Sequence, residues 1–419
     1  MSHLVRIAAL AAAVAGCGSD PSASSPDPFE ARQLPEELRA DAASVVQSGN
    51  RFAVDLYARL APEPGNLFFS PFSVSTALAM THAGARAVTA EEMARVLHFS
   101  LEPASLHPAY SALIRSLDTG SGLGGYRLNV ANRLWGQTGY GFLEPFLAIT
   151  RGDYGAELAQ LDFVAAPEPA RAEINGWVEE RTEGKIVDLF PPGTIGELTR
   201  LVLVNAIYFK GSWADRFDEA DTRSNPFHLS ASASVDVPTM SQTGEFARAR
   251  VEDVDVLELP YQGGDVSMVI LLPAAVDGLA SLEARLTFEN LTAWLAAVDG
   301  VEPRDVEVSL PRFRTRSSFL LNDVLASMGM PAAFDPFAAD FSGMNGRRDL
   351  FVSVVVHQGF VEVSEEGTEA AAATGVVEAL GYITSAPPAF RVDHPFLFLI
   401  RDNLTGSVLF LGRIVDPSA

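Results

Sequence analysis

Apolar residues recur at helical spacing across residues 34–60, with Leu38, Val45, Val46, Phe52, Leu56 and Leu60 on one face. The pattern predicts an amphipathic helix, interrupted near Gly49. Residues 66–71 form a short strand that ends at a proline. Residues 73–82 are apolar enough for a buried helix, in which Thr76, Ala77 and Ala79 permit close packing. Further helices are predicted over 89–97, 105–117, 142–150, 169–182, 279–286 and 289–297. Residues 201–210 are almost wholly apolar, as in a strand covered on both faces. Other turn-bounded apolar runs predict strands at 126–135, 237–240, 257–261, 267–273, 306–316, 350–363, 395–400 and 407–415. A helix over 318–328 would be capped by Ser317 or Ser318 and stopped at Gly329. Helices and strands mix without a regular βαβ rhythm or an internal repeat, which points to an α+β fold.

One stretch breaks the pattern. Residues 365–382 lie between two strand-like runs and consist mostly of small side chains. Loops this long in a compact domain are usually functional or disordered. Gly367 frees the backbone. Thr368, Ala370, Ala372, Thr374 and Val376 alternate with period two, and no charge appears on that face until Glu378. Two forms fit: an Ala-rich surface helix with Thr368 as its N-cap, or an extended strip able to slide between two strands without burying an unpaired charge.

Composition narrows the function. The chain carries 30 Lys and Arg against 53 Asp and Glu, a formal charge of −23, which argues against nucleic acid as a partner and weakens any polyanion site. The only cysteine, Cys17, excludes an internal disulfide and CxxC zinc sites. There is no G-x-S-x-G elbow, no H-E-x-x-H and no Walker-type loop, so an enzyme is not expected. Residues 7–14 are apolar but too short to span a bilayer. Val14-Ala15-Gly16-Cys17 resembles a bacterial lipobox, whose cysteine would become a lipidated first residue. The alternative is an ordinary secretory signal. Residues 18–34, rich in Ser, Pro and Asp at their start, are expected to be a flexible tether, with one domain over 35–419. The implied location is outside the cytoplasm, extracellular or anchored to the cell envelope.

Gly367-Thr368-Glu369-Ala370-Ala371-Ala372-Ala373-Thr374 resembles the hinge of the reactive-centre loop in the serpin family, and residues 390–398 resemble the segment that follows that loop. Residues 66–71 and Tyr154-Gly155-Ala156-Glu157 also resemble serpin stretches. At least six motifs fall in serpin order over residues 40–416. The resemblance implies the serpin fold: three β-sheets, eight or nine helices and a loop over about residues 366–389. It also implies a monomeric suicide inhibitor of serine or cysteine proteases that needs no cofactor or metal. A protease would cut the loop and form an acyl-enzyme. The freed strip would then insert into the central sheet and carry the protease with it.

With Thr368 as the fourteenth residue before the cut, the resemblance places the reactive bond at Gly381–Tyr382, with Leu380–Gly381 as runner-up. Gly381 suits elastase- or subtilisin-like enzymes; Leu380 or Tyr382 suits chymotrypsin-like ones. The resemblance further assigns Ser70, Ser73, Asn205 and His357 to a polar cluster, the shutter, beneath the sheet. It assigns Trp213, Arg312 and Glu365 to the breach where the loop enters, with a Glu365–Arg312 ion pair. Glu378 shares parity with Thr368, so insertion would bury it unless it reaches the wet end of the sheet or the register shifts. A non-inhibitory binding or chaperone-like serpin is the alternative, but its hinge would usually be bulky or charged.

Overall fold

The computed structural model describes residues 32–122, 126–368 and 386–419. In chain order the elements are α1 (Arg39–Leu60), β1 (Leu67–Phe69), α2 (Pro71–His82), α3 (Ala87–Val96), α4 (Pro103–Gly122), β2 (Tyr126–Gln137), α5 (Glu144–Tyr154), β3 (Ala159–Leu161), α6 (Pro167–Arg181) and β4 (Leu201–Ser212). There follow β5 (Arg223–Ser230), β6 (Ala233–Val251), β7 (Val254–Pro260), β8 (Val266–Pro273), α7 (Leu279–Ala284), α8 (Phe288–Asp299), β9 (Arg304–Pro311) and β10 (Phe313–Leu320). The chain closes with α9 (Asn322–Met328), α10 (Ser342–Asn345), β11 (Val352–Ser364), β12 (Gly367–Thr368), β13 (Ala389–Arg391), β14 (Phe396–Asp402) and β15 (Val408–Ile414).

A six-stranded sheet has the order β10-β11-β12-β4-β2-β3. A nine-stranded assembly runs β1-β15-β14-β8-β7-β6-β9-β13, with β5 also on β6. The long β6 serves two arms, pairing with β7 at its C-terminal end and with β5 and β9 earlier, so the architecture is the three-sheet α+β fold. The six-stranded sheet is buried on both faces. Leu201, Leu203, Ile207 and Phe209 of β4 point into the main core, while Val202, Val204 and Ala206 lie beneath Ile174 and Val178 of α6. That explains the unbroken apolar run of β4.

Several expectations need correction. Among the described residues there are ten α-helices rather than eight or nine, the last being the four-residue α10. Helix α1 runs through Gly49 without a break. The strand expected over 306–316 is two strands in different sheets: β9 pairs with β6, β10 with β11. The change of sheet falls at Arg312, whose N–H donates to Pro238 O at 2.8 Å. Ser317 and Ser318 cap no helix but sit in the β10 ladder opposite Gly359 and Gln358. Helix α9 starts only at Asn322, whose side chain instead bonds β11 at Val355 N and Ser353 O. Ladder pairing of the edge strand β10 with β11 outweighed the local capping signal.

The fold also begins earlier than the expected tether boundary. Arg32 is fully buried. Its guanidinium pairs with Asp402 and, at 3.1 Å, with Asp265, and its Nε donates to Ser116 O at 3.1 Å. The Ser116 hydroxyl returns a bond to Arg32 O at 3.0 Å. Removing one member of a buried ion-pair group leaves an uncompensated charge, which destabilises by about 3–5 kcal/mol. Arg32→Ala should lower stability by that amount in denaturant unfolding; a change under about 0.5 kcal/mol, as at an ordinary surface position, would show that the segment is not anchored.

Candidate functional site: the seam between β4 and β11

The central strands β4 and β11 run parallel and pair directly from Val352↔Leu201 to Phe360↔Tyr208. Above that level they diverge, and β12 fills the gap. Gly367 and Thr368 pair antiparallel to β4 at Ser212 and Gly211, and antiparallel to β11 at Ser364 and Val363. The extended reading of the small-residue stretch therefore holds for Gly367 and Thr368, which are already a strand of the sheet. Thr368 is 0% exposed, and its hydroxyl lies 2.7 Å from the Tyr261 hydroxyl in the core. Gly367 has φ +143°, and a Cβ there would come within 2.0 Å of Gly211 O. No side chain fits between strands that close.

Trp213 closes this upper end. Its ring stacks on Tyr261 with centroids 4.7 Å apart. Its indole N–H donates to Ser364 O at 2.9 Å and its backbone N–H to Glu366 O at 3.0 Å. The turn between β11 and β12 is pinned by Glu365. Its carboxylate is 3% exposed and accepts from Arg312 Nε at 2.6 Å, from a second Arg312 nitrogen and from the Thr222 hydroxyl. The expected ion pair is present, with the carboxylate buried rather than solvated. Burial alone would raise the Glu365 pKa, but the bonds from Arg312 and Thr222 outweigh it and hold the carboxyl below its ordinary range.

Lower on the seam, Ser70, Ser73, Asn205 and His357 come together as expected. His357 and Asn205 are register partners across β11 and β4. His357 Nδ1–H donates to Asn205 Oδ1, and its Nε2 accepts from Ser70 N–H at 3.0 Å. This assignment requires a neutral ring, and burial pushes its pKa down to about 3. The Asn205 amide donates to Ser73 Oγ at 2.5 Å and to Asn132 Oδ1. The Ser70 hydroxyl caps α2 by accepting from Ser73 N–H, and donates to Leu409 O at 2.6 Å. One network thus ties β2, β4, β11, α2 and β15.

Asn132, Thr222 and Tyr261 were not expected here. Asn132 had a legible signal: an asparagine inside a strand, directly opposite Asn205. Thr222 and Tyr261 arrive from distant segments, and nothing in their local sequence marks them. Glu369 to Thr374 of the hinge, Leu380, Gly381, Tyr382 and Cys17 lie outside the described residues.

A model of the family "Serpin (serine protease inhibitor)" matches residues 47–417. The human leukocyte elastase inhibitor is 45% identical over 378 residues, covering 88% of this chain and 98% of its own length. The mouse leukocyte elastase inhibitor A is 45% identical over 375 residues, covering 87% and 97%. Among solved structures, Serpin48, a highly specific serpin of the insect Tenebrio molitor, superposes with a TM-score of 0.79 at 36% identity, covering 89% of this chain and 98% of that one.

A depressed carboxylate pKa stabilises above the unfolded value of about 4.3 and ceases to do so as pH falls through the folded value. Wild type should therefore lose an increment of stability on acidification below about pH 4.3 that Glu365→Gln does not lose. Arg312→Ala should destabilise by about 1–3 kcal/mol at neutral pH by stranding the carboxylate. Identical acid unfolding profiles for wild type and Glu365→Gln would remove Glu365 from this role.

Proposed function

The chain belongs to the serpin family, and from that membership we propose that it is an irreversible suicide-substrate inhibitor of serine proteases, cysteine proteases being a second class of target. The observation that carries the reading is the seat of β12: two residues of the strip already lie between β4 and β11 with Thr368 buried. Cleavage beyond them would free the rest to follow.

Continuing the β12 register down the seam gives each incoming residue two partners. Ala370 would meet Phe209 and Val361, Ala372 would meet Ile207 and Gly359, and Thr374 would meet Asn205 and His357. Insertion must break the direct β4–β11 ladder and the Asn205–His357 bond. A threonine arriving at that level supplies a hydroxyl to the separated polar groups, where an alanine would leave them unpaired. Glu378, which shares the buried parity, would arrive opposite Leu201 and Ser353, the foot of the sheet beside Arg200. A carboxylate is tolerable there and would not be at mid-strand. The small residues at 370–373 favour this reading over a non-inhibitory binding module.

The reactive bond is proposed at Gly381–Tyr382, with Leu380–Gly381 second. A small residue before the cut suits elastase- or subtilisin-like proteases, and the relatives' name as leukocyte elastase inhibitors supports the elastase class. Tyr382 or Leu380 would recruit chymotrypsin-like enzymes. We further propose export through residues 1–17 as a bacterial lipoprotein, with Cys17 as lipid acceptor and the inhibitor held at the cell envelope. The lipobox-like Val14-Ala15-Gly16-Cys17 supports this.

Mixing the protein with elastase, subtilisin or chymotrypsin should give an SDS-resistant adduct near the summed mass, and the released peptide should begin at Tyr382 or Gly381. Clean cleavage with no adduct would favour the non-inhibitory reading. Thr368→Arg should be cleaved yet fail to trap, because a guanidinium without a partner would occupy the buried Thr368 seat; full inhibition by this variant would refute insertion. Mass spectrometry of membrane-extracted protein should find diacylglycerol on Cys17, and an unmodified peptide spanning Cys17 would reject the anchor.

A further inference from the structure

A groove of about 450 Å3 lies between α1, α3 and α9. Its apolar wall is Ala58 of α1, Val96 of α3 and Met328 of α9, and its polar groups are Asp55, Arg59, Arg95 and His98. None of these residues belongs to the seam or to the loop. In a chain with a surplus of acid, a guanidinium on a helix ordinarily finds a carboxylate one turn away. Here that does not happen. Among the described residues, neither the Arg59 nor the Arg95 side chain has a hydrogen-bond or ion-pair partner.

The nearby carboxylates leave both arginines alone. Asp55 stands four residues before Arg59, the favourable spacing for a pair. Its Oδ2 instead lies 2.7 Å from His98 Nε2, which donates because a carboxylate only accepts. Glu92 stands three residues before Arg95 and accepts from Ala332 N–H at 2.9 Å. Glu91, four residues before Arg95, is exposed and bonds neither arginine. Both arginines lie in the last turn of their helices, where cations commonly cover the final carbonyls. Those carbonyls are already covered. At α1, Tyr57 O accepts from Ala61 N–H at 2.8 Å and Ala61 O from Arg413 at 2.9 Å. At α3, Met93 O accepts from Leu97 N–H at 2.9 Å.

His98 keeps Arg59 free at a cost in backbone. Its N–H donates to Arg95 O at 3.3 Å, and Phe99 N–H donates to Ala94 O at 2.8 Å. This pair of bonds usually closes a helix on a glycine, because the residue between must enter the left-handed region. His98 does so with φ +55°. Glycine would make the same turn with less strain, but it would release Asp55 to pair with Arg59.

We propose that this groove binds an organic phosphate monoester, its phosphoryl group between Arg59 and Arg95 and its apolar body against Ala58, Val96 and Met328. Two guanidiniums with open forks suit a phosphoryl group, which takes paired N–H bonds and carries more charge than a carboxylate. With Asp55 as the one carboxylate of the lining, the groove is cationic even when His98 is neutral. The acidic chain repels anions at long range, so the affinity has to come from these contacts. The volume is that of a small-molecule site rather than of a lone ion, and half of the need is apolar, which favours an ester over free phosphate. A soluble ester and a phospholipid headgroup present this same chemistry.

The test is calorimetric titration of the full chain with phenyl phosphate and with inorganic phosphate, and cosedimentation with phosphatidylcholine vesicles with and without phosphatidic acid. Phenyl phosphate should bind at one site and more tightly than inorganic phosphate. Arg59→Gln and Arg95→Gln, both at exposed positions, should each weaken it about tenfold or more. His98→Gly should melt no lower than wild type and still bind phenyl phosphate more weakly, whereas Asp55→Asn should bind it more tightly. Cosedimentation that needs phosphatidic acid and is lost in Arg59→Gln assigns the phosphoryl group to a lipid; phenyl phosphate binding without cosedimentation assigns a soluble ester. Binding of neither phenyl phosphate nor vesicles, or binding that both arginine variants leave unchanged, overturns the site. Inorganic phosphate binding as tightly as phenyl phosphate overturns the apolar contact, and unchanged binding in His98→Gly overturns the role given to His98.

Discussion

The seam between β4 and β11 has to be closed and separable at once. A parallel ladder over residues 352–360 and the His357–Asn205 bond hold it shut. Two residues of β12 hold it open above. Each half of this arrangement has a physical cause. Closure pairs the buried Asn205 amide and His357 imidazole, and leaving either unpaired would be expensive in so dry a site. Opening at the top requires a residue without a Cβ where the strands converge, which Gly367 supplies, and a short side chain that finds a hydroxyl in the core, which Thr368 supplies.

Electrostatics settles where the strip stops. The chain as a whole is strongly acidic, yet its turn into β12 is fastened by a buried carboxylate on an arginine that marks the change from β9 to β10. At the other end of the loop, the buried His394 ring, in hydrogen-bond contact with the Asp393 carboxylate and the Pro273 carbonyl, fastens the turn into β14. Among the described residues, the chain on each side of residues 369–385 is thus fastened by a polar or charged contact. Such pairs fix position more than they add stability, because their desolvation offsets much of their attraction.

Much of this was legible in the sequence. The period-two run of small residues after Gly367 and the apolar block of β4 each carry a local signature, whereas Ser70, Asn205 and His357 were grouped only by the family resemblance. What was hidden depends on partners. The run of residues 306–316 has strand character throughout, and only the partner strands β6 and β11 reveal that it is divided at Arg312. Ser317 and Ser318 look like helix caps until β11 claims them. Arg32 stands in a polar, proline-bearing stretch, and its burial follows from Asp402, 370 residues away. Asn132 was visible but had no meaning until its register with Asn205 was known.

The central claim is that the intact sheet is not its own most stable form, because β4 and β11 gain a full strand between them once the loop is cut. Thermal unfolding of intact protein and of protein cut once within residues 369–388 tests this most directly. The account predicts that the cut form, freed to insert, melts far above the intact form. A cut form that melts at or below the intact one would mean that no strand is gained, and the seam would be an ordinary closed sheet.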